Sequence, residues 1–324
     1  MKTRLRLLVP GLFEASMLQT LIADTKQLHN QLIARLKQAD YADLNAGDLY
    51  AEHYHLSEQQ RQYVPWLVPA ELRSEQLMFR ADPVILQPTH NGILCRGNDI
   101  LHLDPDEQRD IETTFNDYFA ERGLTLTFYA PAEAVVIIAP EHAELADVAF
   151  SSLAQVLGQD LTHHLPTGAS GHDWQTILME TQMLLHRTET NQQRTESGEK
   201  TVGSLWFWGC NNPDSTELSL NSEMLFTDSR LLLSAFADRA TKLGEFQQTL
   251  TYSGSVDVVI EQLAQASLQN DPQRWQNAFA SVVKHYIFPA LQAISDKSLS
   301  QLEILSETAH YTLKPWHKLR FWRL

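Results

Sequence analysis

The residues with the clearest chemical potential lie between His163 and Pro213. Trp174, Ile177, Leu178, Thr181, Leu184 and Leu185 fall at helical spacing, with Asp173 placed as an N-cap. Carried on through this stretch, the same period puts Arg187, Asn191 and Arg194 at i, i+4 and i+7 on one polar face. Two guanidinium forks beside an amide suit bidentate contact with phosphate or carboxylate. Lys200 adds a cation. Gly209, at the end of the apolar run 202–208, allows backbone to approach a ligand closely. Arg187, Asn191, Arg194, Lys200 and Gly209 are therefore the candidate ligand-binding set. The same spacing also describes a solvated helix face, with Glu189 and Glu196 pairing the arginines.

Metal chemistry has weaker support. His163, His164, His172 and Asp173 cluster in sequence, and Asp160 with His164 makes a D-x-x-x-H pattern, but a loop that caps a helix explains them as well. His53 and His55 would share a face if extended, yet two ligands leave a zinc site incomplete. No metal and no cofactor is assigned. Cys210 has no evident base near it, and two cysteines cannot build a disulfide framework, which points to a reducing compartment and a cytoplasmic protein.

Composition bounds the partners. The chain has 324 residues, with 43% hydrophobic and 20% charged, which suits one large or two medium domains with a real core. A formal net charge of −15 argues against nucleic-acid binding, which needs a basic surface. No run of about 18 apolar residues is present, so no membrane span is expected. The basic, aromatic tail 314–323 stands out in an acidic chain; it is expected to dock on the protein's own surface with Trp316 and Trp322 buried.

The elements that must position these residues read as α/β. A first strand over 5–9 closes at Pro10-Gly11, and apolar positions from Leu18 to Leu36 suggest one long amphipathic helix. The pattern from Ala81 becomes α+β: strands over 83–87 and 93–95 joined by Asn91-Gly92, a helix opened by Asp104-Pro105, and strands over 124–128 and 135–138. Further on, 202–208 and 224–226 read as strands, 231–243 as a helix ending at Gly244, and 275–294 as a helix. The segment 255–260 is a strand or a helix start, and 302–305 with 311–313 could close a sheet.

Several strings resemble a known family. Leu165-Pro166-Thr167-Gly168, Met183-Leu184-Leu185-His186, Asn191-x-x-Arg194-x-x-x-Gly198 and Trp206-Phe207-Trp208-Gly209 follow in the order found in archaeal-type cofactor-independent phosphoglycerate mutases, of the alkaline phosphatase superfamily. Within it they are most similar to a bacterial offshoot, the RpfE-type regulatory proteins. The resemblance covers about 82–213 and is thin elsewhere. It implies a degenerate alkaline-phosphatase-like α/β core over 1–80 and 215–324, with an inserted α+β domain over 81–214.

The family's metal-binding aspartate at the end of the first strand is replaced here by Pro10 and Gly11, with Glu14 the nearest carboxylate. The late Asp/His pairs are missing after residue 214. The resemblance thus implies a catalytically degraded phosphoglycerate mutase-like protein, a regulatory or ligand-binding protein for a small phosphorylated or carboxylate anion. The alternative is an active metal-dependent mutase or phosphatase with rearranged ligands.

Overall fold

The computed structural model describes residues 3–43, 54, 56–72, 76–90, 92–96, 101, 103–130, 133–211, 220–244, 246–250, 252–268 and 271–319. In chain order the strands are β1 (Thr3–Leu8), β2 (Asp40–Asp43), β3 (Leu77–Thr89), β4 (Gly92–Arg96), β5 (Leu124–Ala130), β6 (Glu133–Ile138) and β7 (Ser204–Trp208). They continue with β8 (Met224–Thr227), β9 (Ala240–Lys242), β10 (Ser255–Val259), β11 (Leu299–Leu305) and β12 (Ala309–Leu313). The chain divides into two compact units, Met1–Ser57 with Glu217–Leu324, and Glu58–Thr216.

The first unit is a mixed sheet of order β2-β12-β11-β1-β10-β8-β9. β1 lies between β10 and β11 and runs parallel to both. β8 and β9 extend the parallel set on one side, and β12 and β2 close the other side antiparallel. Period-2 alternation sends Leu5, Leu7, Val256, Val258, Leu302 and Ile304 into one core with Trp275 and Phe279. Arg6, Asp257 and Glu303, the residues between them, share a row on the opposite face.

Three expectations change here. The long first helix is two pieces, Ala15–Leu18 and Ala23–Leu36, with the Thr20 amide and hydroxyl both bonded to the Met17 carbonyl at the break. The helix expected over 231–243 ends at Ala235 and gives way to β9. The helix over 275–294 contains a π turn, Val283–Ile287, just ahead of Pro289, which has no N–H to continue the ladder.

The second unit is an antiparallel sheet of order β4-β3-β6-β5, with β7 also paired to β3. The helix Pro105–Phe119 packs on it after a capping box in which Asp104 accepts from the Glu107 amide and Glu107 accepts from the Asp104 amide. The helix Gly171–Leu185 covers the same core through Trp174, Ile177 and Leu178. The insert was expected to start at residue 81. Segment 58–80 belongs to this unit as well, because Val64 and Val68 pack against Met78 and Val135.

Candidate functional site

In parallel α/β sheets, ligands bind where the strands end and the order reverses. In the first unit that place is the rim formed by residues after β1, β8, β10 and β11. β1 leads into Gly11, whose φ is +77°, and a Cβ there would lie 2.9 Å from the Ala264 nitrogen. Position 11 therefore accepts no side chain without displacing backbone. Glu307, after β11, takes the Gly11 amide on both carboxylate oxygens, at 3.1 and 2.9 Å, and Trp275 Nε1 donates to the Gly11 carbonyl at 3.0 Å. Asp228, after β8, accepts from the Glu261 amide beyond β10 at 2.8 Å. Its residue surface is open to solvent, yet the surrounding strand ends desolvate the carboxyl and raise its pKa. Glu14 is turned onto Ser16, whose amide and hydroxyl both donate to it. Glu307 and Asp228 each hold a neighbouring strand end, and Glu14 caps the helix that follows β1.

Below the rim, Arg6 Nε stands 3.6 Å from Asp257 and 3.7 Å from Glu303, and Glu303 lies 3.4 Å from His310. The Tyr54 hydroxyl donates to Asp257 at 3.3 Å. Burial is the largest influence on Asp257 and lifts its carboxyl to about 6, against the pull of Arg6, Ser222 and Tyr54. His53 and His55 lie outside the described residues.

The motif stretch of the second unit is arranged differently from its expected form. The helix stops at Leu185. Ser170, not Asp173, precedes its first residue, and Asp173 sits in the first turn. Thr188 then caps a separate helix, Glu189–Ser197. Arg187 falls in the turn between them, so the single face through 187, 191 and 194 does not form. Arg187 and Lys200 are exposed. Asn191 is buried and ties two stretches of backbone to its own helix: its amide nitrogen donates to Leu185 and Val202 carbonyls, both at 2.8 Å, and its oxygen accepts from the Val202 amide. Arg194 is 4% exposed and forks onto Glu107, with Nε to Oε1 at 2.6 Å and a terminal nitrogen to Oε2 at 2.8 Å. Its other terminal nitrogen donates to the Lys200 carbonyl at 3.0 Å. The Glu107 hydrogen bond is the largest influence raising the Arg194 pKa. The expected pairing of this arginine with Glu196 is replaced by Glu107 from another helix. Gly209 has φ +107°, and a Cβ would meet Val64 Cγ2 at 2.5 Å, so its freedom serves packing against 62–64.

The sequence reading passed over Arg80 and Asp82. They stand at i and i+2 of β3, which is the available signal, because that spacing puts both on one sheet face. Asp82 is fully buried and accepts from Arg80 at 3.1 and 2.6 Å and from Trp208 Nε1 at 2.8 Å. Arg80 lies over the Tyr129 and Trp208 rings. Trp206 is core and donates to the Ser151 carbonyl.

Among the described residues, no three His, Cys, Asp or Glu side chains come together in a way that could hold a metal ion. Asp160 turns back on Thr162, while His164 contacts the Ser151 hydroxyl. Cys95 is buried, which pushes its thiol up to about 12, and Cys210 is half-buried. No helix among the described residues is long and apolar enough to cross a membrane. Trp316 is 54% exposed and not buried as expected; Trp322 lies outside the described residues.

No protein-family model matches the chain, and no curated protein matches its sequence. Two solved structures are similar to it. One is a cofactor-independent phosphoglycerate mutase from Thermoplasma acidophilum DSM 1728, 12% identical over 97% of this chain and 90% of that one, with a TM-score of 0.39. The other is a protein from Pyrococcus horikoshii, 10% identical over 97% of this chain and 87% of that one, with a TM-score of 0.49.

Proposed function

We propose that this chain is a non-catalytic binding protein on a phosphoglycerate mutase-like frame, taking a small phosphorylated or carboxylate anion. The observation that carries the reading is the filled rim position after β1. Gly11 there is pressed against backbone at 264 and locked by Glu307, where the resembled enzymes place a metal-binding aspartate. Two-metal phosphoryl chemistry needs carboxylates turned toward the ions. Here Glu307 and Asp228 are turned onto amides of adjacent strand ends. The motif likeness to phosphoglycerate mutases supports the ligand class, and the likeness to RpfE-type proteins supports a regulatory role.

Two measurements test this. Mutase and phosphatase assays with phosphoglycerate and a chromogenic phosphate ester, with manganese, magnesium or zinc supplied, are expected to show no saturable turnover. Saturable metal-dependent turnover that Glu307→Gln or Asp228→Asn abolishes overturns the reading in favour of an enzyme with rearranged ligands. Calorimetric titration with phosphate and 3-phosphoglycerate is expected to show binding, and its absence removes the anion from the reading.

A further inference from the structure

In the first unit, the helix Ala23–Leu36, the helix Phe288–Ser295 and the end of β12 with the stretch after it line an open cavity of about 330 Å3. Its polar lining is Arg35, Gln38, Gln292, Ser295, Lys314 and His317. No carboxylate is among the described residues that line it, although the chain carries 40 acidic side chains against 25 Lys and Arg. Arg35 lies over the Phe288 ring, 4.3 Å from its centroid, a cation–π contact that holds its charge beside the cavity. Asp40 comes near this region beside His317, with Oδ2 3.5 Å from Nε2.

The two helices meet the cavity near their C-terminal ends, where the macrodipole opposes an anion. That opposition is blunted. The last carbonyls are already used: Leu291 accepts from the Ser295 hydroxyl, Gln292 from the Asp296 amide, Ile294 from the Lys297 amide and Leu36 from the Ala39 amide. A terminal dipole amounts to about half a charge and falls off within one turn, so two whole charges on Arg35 and Lys314 outweigh it.

We propose that this cavity binds a small anion bearing a phosphate group. The inference rests on the binding reading above and supplies its location. A dianion matches the two full charges, whereas a monocarboxylate neutralises one of them. Gln38 and Gln292 offer amides to hydroxyl or carboxyl groups on the same molecule, and Leu291 and Leu313 give its carbon skeleton an apolar wall. The volume lies at the small end of ligand pockets, which suits a molecule of a few carbons.

The test is calorimetric titration of the full chain with inorganic phosphate, 3-phosphoglycerate and glycerate. Phosphate and 3-phosphoglycerate are expected to bind, glycerate more weakly, and affinity is expected to fall as salt rises. Lys314→Gln and Arg35→Gln should each weaken phosphate binding by about tenfold or more, since each removes a charge-assisted contact. Arg35→Lys, which keeps the charge, should weaken it less. Gln292→Glu changes an exposed position, so it tests the site without threatening the core, and it should abolish binding by placing a carboxylate in the cavity. If wild type binds but all four variants bind equally well, the inference falls and the binding reading stands. Loss of binding in Arg187→Ala or Lys200→Ala instead moves the anion to the second unit with the same consequence. If wild type binds none of the three probes, both fall.

Discussion

Two buried charged groups in this molecule are stabilised by opposite balances. In the second unit, Arg194 is held by a bidentate fork to Glu107 and a carbonyl contact, and hydrogen bonding is the largest influence on it. In the first unit, Asp257 shares one arginine with Glu303 at 3.6 and 3.7 Å, and burial is the largest influence on it. The difference separates architecture from adjustable chemistry. A charge with short, directed partners stays charged and fixes the fold. A charge that is buried with distant partners titrates near neutrality and makes stability depend on solution conditions.

Asp82 tests that division where both influences are at their strongest. It is fully buried, yet it collects Arg80 and Trp208 as donors. Burial opposes the Arg80 charge, and Asp82, Tyr129 and Glu133 more than compensate; for Asp82 burial remains the largest influence and raises its pKa against the pull of Arg80 and Trp208, so the short contacts hold the pair together without cancelling its desolvation. Asp82→Ala leaves Arg80 with Glu133 at 3.6 Å, and should destabilise the protein by about 3–5 kcal/mol in urea unfolding. A loss below about 1 kcal/mol would mean that Arg80 finds water or Glu133 at little cost, and the pair would lose its architectural standing.

Arg194→Ala comes next. Removing it strands Glu107, 17% exposed at its side chain, and the Lys200 carbonyl, for an expected loss of about 3 kcal/mol. The Glu107 oxygen that caps the Asp104 amide keeps that bond, which limits the damage. Unchanged stability in unfolding experiments, coupled with lost phosphate binding, would return Arg194 to the role its sequence spacing suggested.

That spacing shows how far the sequence reaches. Short apolar or β-branched runs exposed β1, β5, β6 and β7, and the Asp104-Pro105 start was readable, because each depends on neighbours in the chain. The stop at Leu185 was not readable from apolar period alone: Thr188 is an N-cap residue, and its hydroxyl accepts from the Asn191 amide to restart the helix. Nor could spacing tell that Arg194 would meet Glu107, 87 residues away. A guanidinium fork is equally suited to a ligand carboxylate and to one from its own chain, and only tertiary packing decides. The rim and the 330 Å3 cavity are also assembled from distant segments, so neither has a local signature.

The smallest expected effect belongs to Asp257, and it is the one that depends on pH. Its folded pKa, about 6, lies above the ordinary value of 3.8 that the unfolded chain retains. Between those values the folded state binds more protons than the unfolded state, so stability falls as pH rises from about 4 to 6 and is level above that. One pKa unit corresponds to about 1.4 kcal/mol, and water admitted on ionisation brings the expected fall to roughly 2 kcal/mol. Glu303 works in the other direction. Its pKa is lowered, chiefly by His310, so its contribution is lost as pH drops below the ordinary glutamate range. Subtracting the pH profile of Asp257→Asn from that of wild type removes this shared background, since Arg6 keeps Glu303 in the variant. Urea unfolding at pH 4, 5, 6 and 7 should show the variant gaining on wild type as pH rises, with the gain complete by about pH 7. Parallel profiles would mean that Asp257 is as well compensated by Arg6, Tyr54 and Ser222 as Arg194 is by Glu107, and the contrast between the two regions would disappear.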